Sequence, residues 1–192
     1  MKSREAIKPA RFTVRDARAE DLSAIASIYA YHVRQGLGSF EEIPPSIEEI
    51  TQRWRDILAT GLPFLVAAGG GAARGLEEPL GYAYAAPFRL RSAYRFTVED
   101  SIYVAPSETR RGIGHALLGE LIERCTAGKY RQMIAVIGDS GNAASIGLHE
   151  TLGFSQAGLL KAVGFKAERW IDGVIMQRSL GDGETTPPQE QV

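Results

Sequence analysis

The stretch Ser101-Ile102-Tyr103-Val104-Ala105-Pro106-Ser107-Glu108-Thr109-Arg110-Arg111-Gly112-Ile113-Gly114-His115-Ala116-Leu117-Leu118 holds the most legible chemistry in the chain. An apolar run meets a proline, and a basic, glycine-spaced turn leads straight into a helix. This layout aims several backbone N–H groups, the positive end of a helix dipole and the guanidinium groups of Arg110 and Arg111 at one spot. Such a spot suits a pyrophosphate. Gly112 and Gly114 remove side chains that would block a phosphate oxygen, while Ile113 packs inward. The spacing is R-x-G-x-G, distinct from the P-loop and from the dinucleotide G-x-G-x-x-G. Taken alone, it also fits a solvated turn at a glycine-rich helix start.

Three further clusters bear on the same chemistry. Glu99 and Asp100 lie just upstream of the loop. Acyl transfer to an amine needs the neutral amine, and a carboxylate can take that proton directly or through one water. Side chains of strand neighbours point to opposite faces, so only one of these acids faces a given site. A polar strand start accounts for the pair equally well. Asn142 and Ser145 lie three apart, on one helical face near its N-terminus. They can hold the amides of an extended ligand arm, although Asn142 is also a good helix cap. His149, four residues beyond Ser145, can protonate a departing thiolate or serve as a structural hydrogen-bonder. Finally, Phe88 to Tyr94 supplies Arg89, Arg91, Ser92, Ala93 and Tyr94, with Ser39-Phe40-Glu41-Glu42, Phe165-Lys166 and Arg169-Trp170 elsewhere. Two arginines and a tyrosine at a strand end recognise a small carboxylate by bidentate hydrogen bonding, or form a basic surface loop.

These groups need a scaffold, and the apolar periodicity supplies one. Strands are expected at Arg11 to Asp16, Phe64 to Ala68, Leu80 to Ala86, Val98 to Val104 and Gln132 to Gly138, and then at Phe154 to Gly158, Gly164 to Ile171 and Val174 to Leu180. The Asp172-Gly173 pair reads as the hairpin turn joining the last two. Helices are expected from Ala19, over Ser46 to Thr60 with Ser46 and Glu49 as a capping pair, over Gly112 to Ala127, and over Asn142 to Leu152. The sum is α+β: a mixed, central twisted β-sheet flanked by helices. Residues 1–10 read as a flexible leader, 11–180 as one domain and 181–192 as a disordered tail.

Composition narrows the function classes. A net charge of −1 gives no electrostatic push toward nucleic acid or a membrane surface. No apolar run approaches a membrane span, and no secretory signal opens the chain. One cysteine, Cys125, permits no internal disulfide and fits a reducing cytoplasm; its place in an apolar helical pattern makes it a buried hydrophobe. His32, His115 and His149 are scattered, so no metal site is expected, and no G-x-S-x-G elbow is present.

In order, Val98-Glu99-Asp100-Ser101-Ile102-Tyr103-Val104, Arg110-Arg111-Gly112-Ile113-Gly114, Ala135-Val136-Ile137-Gly138, Asn142-Ala143-Ala144-Ser145, Leu148 to Phe154 and Val163-Gly164-Phe165-Lys166 resemble the phosphinothricin / methionine sulfoximine branch of the GNAT N-acetyltransferases. The resemblance runs from about Phe12 to Leu180. It implies acetyl-CoA as co-substrate, its pantetheine paired along Ile102, Tyr103 and Val104, its pyrophosphate over Arg110 to His115, and contacts from Asn142 and Ser145. It implies Glu99 as general base; for the direct transfer that follows, a backbone N–H of Ile102 or Val104 is expected to hold the oxyanion. The usual tyrosine acid of the family is replaced here by His149, leaving that role to His149, to water or to Tyr103. The acceptor, a small amino-acid analogue, would meet Arg91, Ser92, Ala93 and Tyr94 with Phe40 opposite, near a homodimer interface. The chain departs from the branch at Ala167-Glu168, where a glycine is common before Arg169-Trp170, and in the long loop from Gly69 to Pro79. Two other readings stand beside it: acetylation of a peptide N-terminus or polyamine, and a non-catalytic acyl-CoA sensor.

Overall fold

The computed structural model describes residues 12–69 and 77–188. The strands are β1 (Phe12–Asp16), β2 (Phe64–Gly69), β3 (Glu78–Pro87), β4 (Thr97–Val104), β5 (Gln132–Gly138), β6 (Ser155–Lys166) and β7 (Arg169–Ser179). They form one mixed sheet in the order β1-β2-β3-β4-β5-β7-β6. Neighbours pair antiparallel except β4 and β5, which run parallel. The helices are α1 (Leu22–Gln35), α2 (Ile47–Ala59), α3 (Ile113–Ala127) and α4 (Ala143–Thr151). Strand alternation separates two layers. Tyr103 meets Tyr29 of α1 on one face, and Asp100 meets His149 of α4 on the other. Between them β2 is buried along its whole length, as a strand covered on both faces must be.

Local chemistry explains the helix ends. Ser46 Oγ accepts from the Glu49 N–H at 3.2 Å, and the Glu49 carboxylate accepts from the Ser46 N–H at 2.7 Å, so α2 opens on a reciprocal capping box. Leu117, Leu118 and Leu121 place α3 against the sheet with no exposed surface, and truncating any one to alanine would cost about 2–5 kcal/mol. Cys125 shares that face, and burial pushes its thiol up to about 12.

Three expectations are revised. The last hairpin does not turn at Asp172-Gly173. It turns at Ala167-Glu168, both left-handed (φ 51° and 59°), between the paired residues Lys166 and Arg169. Asp172 and Gly173 lie inside β7, where Asp172 accepts from the Ala162 N–H at 2.9 Å and the Ser140 hydroxyl at 2.7 Å. Gly173 pairs with Gly138, whose own Cβ would sit 2.2 Å from the Leu37 carbonyl. Second, the tail expected from 181 is in place as far as residue 188. Arg131 donates to the Gly183 and Pro187 carbonyls, both at 3.3 Å, and to Thr186 Oγ1 at 3.1 Å. Third, Gly69 ends β2 and Glu78–Pro79 open β3, so the expected long loop is shorter at both ends. Its residues 70–76, the leader at 1–10 and residues 189–192 lie outside the described residues.

Candidate active site

The parallel pair β4/β5 is a fork. Its ladder runs from Thr97↔Gln132 to Asp100↔Ala135 and stops there. Beyond that point β4 stays with β3 as far as Val104, and β5 stays with β7 as far as Gly138. Two strands therefore continue side by side without joining. The Ala105 N–H reaches the Leu80 carbonyl and the Phe88 N–H the Thr97 carbonyl, so odd-numbered residues of β4 bond to β3. The main-chain groups of Ile102 and Val104 then face the gap. His32 Nε2 lies 2.8 Å from the Val104 carbonyl and takes up that acceptor. A chain of amides can supply partners for the rest, as an added strand would.

The gap widens into a cleft of about 820 Å³. Its outer end is the N-terminus of α3. Gly112 caps that helix in a left-handed conformation (φ 81°), with no side-chain cap. The first helical bond is Ala116 N–H to Gly112 carbonyl, leaving the N–H groups of Ile113, Gly114 and His115 without helical partners. The two glycines have different reasons. Gly112 needs its backbone angle, whereas a Cβ on Gly114 would come within 3.2 Å of the Leu148 side chain, which would have to shift by a few tenths of an ångström.

Ile102, Tyr103, Val104, Arg110, Gly112, Ile113, Gly114, His115, Asn142 and Ser145 all line the cleft. Arg111 does not; it pairs with Glu108, leaving Arg110 as the loop's free guanidinium among the described residues. Tyr103 contributes little but backbone, because its ring packs at 4.9 Å on Tyr29 and 5.3 Å on Tyr82, where burial holds its phenol far above the usual range. Asn142 acts as the cap it resembles, Oδ1 accepting from the Ser145 N–H at 3.2 Å.

The two candidate acids lie on opposite faces of β4. Glu99 is half-buried and stands outside the cleft, on the α1/α2 side. Burial raises its pKa, Arg89 opposes that rise and Asp100 adds to it. Asp100 is buried, its Oδ2 3.1 Å from His149 Nε2, and His149 Nδ1 lies 2.7 Å from the Ser145 carbonyl. Burial disfavours the charged imidazole, but the hydrogen bond and charge of Asp100 outweigh it and raise the His149 pKa. Both nitrogens of His149 are thus engaged, and neither is free to act directly on a ligand.

Phe40, Arg91, Ser92, Ala93 and Tyr94 do not line the cleft. Phe40 lies across Gly164, where a Cβ would meet its ring at 2.4 Å. Its loop is tied down by Lys166 Nζ on the Ser39 carbonyl (2.7 Å) and by Tyr29 OH with Ser39 Oγ (3.0 Å). Residues 92–94 form an exposed 3₁₀ turn, with Tyr94 edge-on to Phe88. The arginine whose charge reaches Glu99 is Arg89. Sequence reasoning missed His32, whose only signal is its position one helical turn beyond Tyr29. It also missed the loop 36–38, which lines the cleft. Among the described residues, no three His, Cys, Asp or Glu side chains group as a metal site.

An anion-binding helix start, a forked parallel pair and a carboxylate at the root of the fork fit a long phosphorylated thioester, and comparison with known proteins agrees. Residues 25–154 match the Acetyltransferase (GNAT) family. This chain is a GNAT acetyltransferase. It shares 55% identity over 177 residues with phosphinothricin N-acetyltransferase of Alcaligenes faecalis, spanning 92% of this chain and 87% of that protein. It shares 39% over 176 residues with the L-methionine sulfoximine/L-methionine sulfone acetyltransferase of Pseudomonas aeruginosa, 91% of this chain and 98% of that one. Superposition on a GNAT superfamily phosphinothricin acetyltransferase from Sinorhizobium meliloti, crystallised with AcCoA, gives a TM-score of 0.88 at 50% identity, with 95% of each chain covered. The fork and the α3 helix start of this GNAT acetyltransferase lie in one continuous cleft.

Proposed function

We propose that this acetyltransferase moves the acetyl group of acetyl-CoA to the amino group of a small amino-acid analogue of the phosphinothricin or methionine sulfoximine type. The observation that carries this reading is the fork, whose open root lies between a carboxylate on each face of the sheet. Bound acetyl-CoA supplies the acetyl group as a thioester. The free N–H groups of residues 113–115 and the Arg110 guanidinium receive its pyrophosphate, and the gap-facing groups of Ile102 and Val104 receive its amides.

Glu99, on the α1/α2 side, takes the amine proton directly or through a water. Its raised pKa brings it nearer the pH at which such a base works best. A gap-facing N–H of Ile102 or Val104 steadies the carbonyl oxygen as charge develops there. The acceptor enters from the side of Phe40, Arg89 and the 91–94 turn, where arginine can pair with its carboxylate. The 55% identity to the Alcaligenes faecalis enzyme, over 92% of this chain, favours this acceptor class. The same reading takes the protein as cytoplasmic and homodimeric, with its exposed apolar β6/β7 hairpin as the contact.

The test is thiol release from acetyl-CoA across phosphinothricin, methionine sulfoximine, methionine sulfone, free amino acids, a peptide N-terminus and a polyamine. Steady release with the first three is expected. Faster release with the peptide or polyamine would replace the acceptor assignment, and tight CoA binding without release for any amine would replace enzyme with sensor.

A further inference from the structure

His149 Nδ1 faces a main-chain carbonyl, which can only accept, so Nδ1 carries a hydrogen. Were Nε2 bare, its lone pair would point at a carboxylate oxygen 3.1 Å away. A proton therefore lies between Nε2 and Asp100 Oδ2, and the buried pair holds one proton in common. The other oxygen, Asp100 Oδ1, is buried and has no hydrogen-bond partner among the described residues. A buried carboxylate oxygen left unpaired is costly, which marks this atom as awaiting a donor. Asp100 lines the cleft, at the last rung before β4 and β5 part. From the α3 end, Val104 to Asp100 spans about 13 Å of strand, a distance an extended pantetheine arm covers. Its sulfur end then reaches the level of Asp100.

We propose that Asp100 is the group through which the departing thiol receives its proton, with His149 as the reservoir behind it; this rests on the acetyl-transfer reading above. The C–N bond forms as the C–S bond breaks. The amine nitrogen gives a proton to Glu99. The carboxyl of Asp100 takes the shared proton from Nε2, presents it to the sulfur after a half-turn that exchanges its oxygens, and is left ionised beside a neutral His149. The open cleft returns a proton from solvent once CoA leaves. A carboxylate beside a forming thiolate would otherwise repel it. The titratable groups whose charge couples to Asp100 are Glu99, on the opposite face of β4, and Cys125 on α3; the rungs beside Asp100, Ala85 on β3 and Ala135 on β5, are apolar.

The test compares two donors, the acetyl thioesters of N-acetylcysteamine and of 4-nitrothiophenol, whose aryl thiolate leaves without a proton. Asp100→Asn should slow the first about a hundredfold and the second little. Equal slowing of both would make Asp100 structural and overturn the proposal, as would an unchanged rate with the first. If the variant fails to fold, the parent decides. Its rate with the alkyl donor should fall on the alkaline side as the pair loses its proton, while its rate with the aryl donor should not. Matching alkaline limbs overturn the proposal. A parent that releases no thiol from acetyl-CoA with any amine refutes the transfer reading itself, a different result from any of these.

Discussion

Two adjacent acids on one strand acquire different chemistry because a strand alternates. Asp100 turns into the layer of α3 and α4 and is taken up by His149; Glu99 turns toward α1 and α2 and remains half-buried. Burial disfavours the charged form of a carboxylate, so the Glu99 pKa sits above its usual value even with Arg89 nearby. A base must be ionised to work. The acetyl-transfer rate should therefore rise with pH through a limb displaced upward from the ordinary glutamate range. Glu99→Gln should abolish that limb and lower kcat by about a hundredfold or more, leaving the acetyl-CoA KM close to that of the parent. Initial rates across the acid range settle it: a variant that keeps both the limb and the turnover removes Glu99 from the base role.

At the level of elements, the β6/β7 hairpin shows where local rules misled and why. Asp-Gly is the usual signature of a tight turn, but the chain spends it on Asp172 clamping Ala162 and Ser140, and on Gly173 passing Gly138. The turn falls to Ala167-Glu168, a pair with no turn signature, held in left-handed geometry by the strands on either side. Left-handed backbone disfavours a side chain, so Glu168→Gly should stabilise the fold by about 0.5–1 kcal/mol. A denaturant midpoint that falls instead would show that Glu168 makes a contact worth more than the strain. Elsewhere the periodicity was sufficient: the capping box of α2, the buried run of β5 and the amphipathic face of α3 are local signals with local causes. Most of the cleft was legible for the same reason, since residues 102–104 and 110–115 are contiguous. What could not be read was pairing across distance. His32 meeting Val104 and Asp100 meeting His149 depend on how separate elements dock, and no spacing in the chain records that.

On the scale of the whole molecule, the sheet has two edges, β1 and β6, and they are unequal. β6 is long, and with its partner β7 it exposes Leu159, Leu160, Val163, Phe165 and Trp170, the last at 68%. A row of large apolar side chains on an edge hairpin is a liability for a lone chain and a natural interface for a second copy. The same hairpin is the wall against which Phe40 rests, through Gly164 and the Lys166–Ser39 bond. Burying it in a dimer would stiffen the acceptor side while leaving the fork at the sheet centre untouched. The parent should therefore sediment at twice the chain mass, and Val163→Glu with Trp170→Glu should yield a monomer. In that monomer acetyl-CoA affinity should persist, because residues 102–104 and 110–115 lie away from the hairpin, while the acceptor KM should rise. A double variant that remains dimeric would move the interface elsewhere, and a monomer with an unaltered acceptor KM would separate the hairpin from acceptor binding.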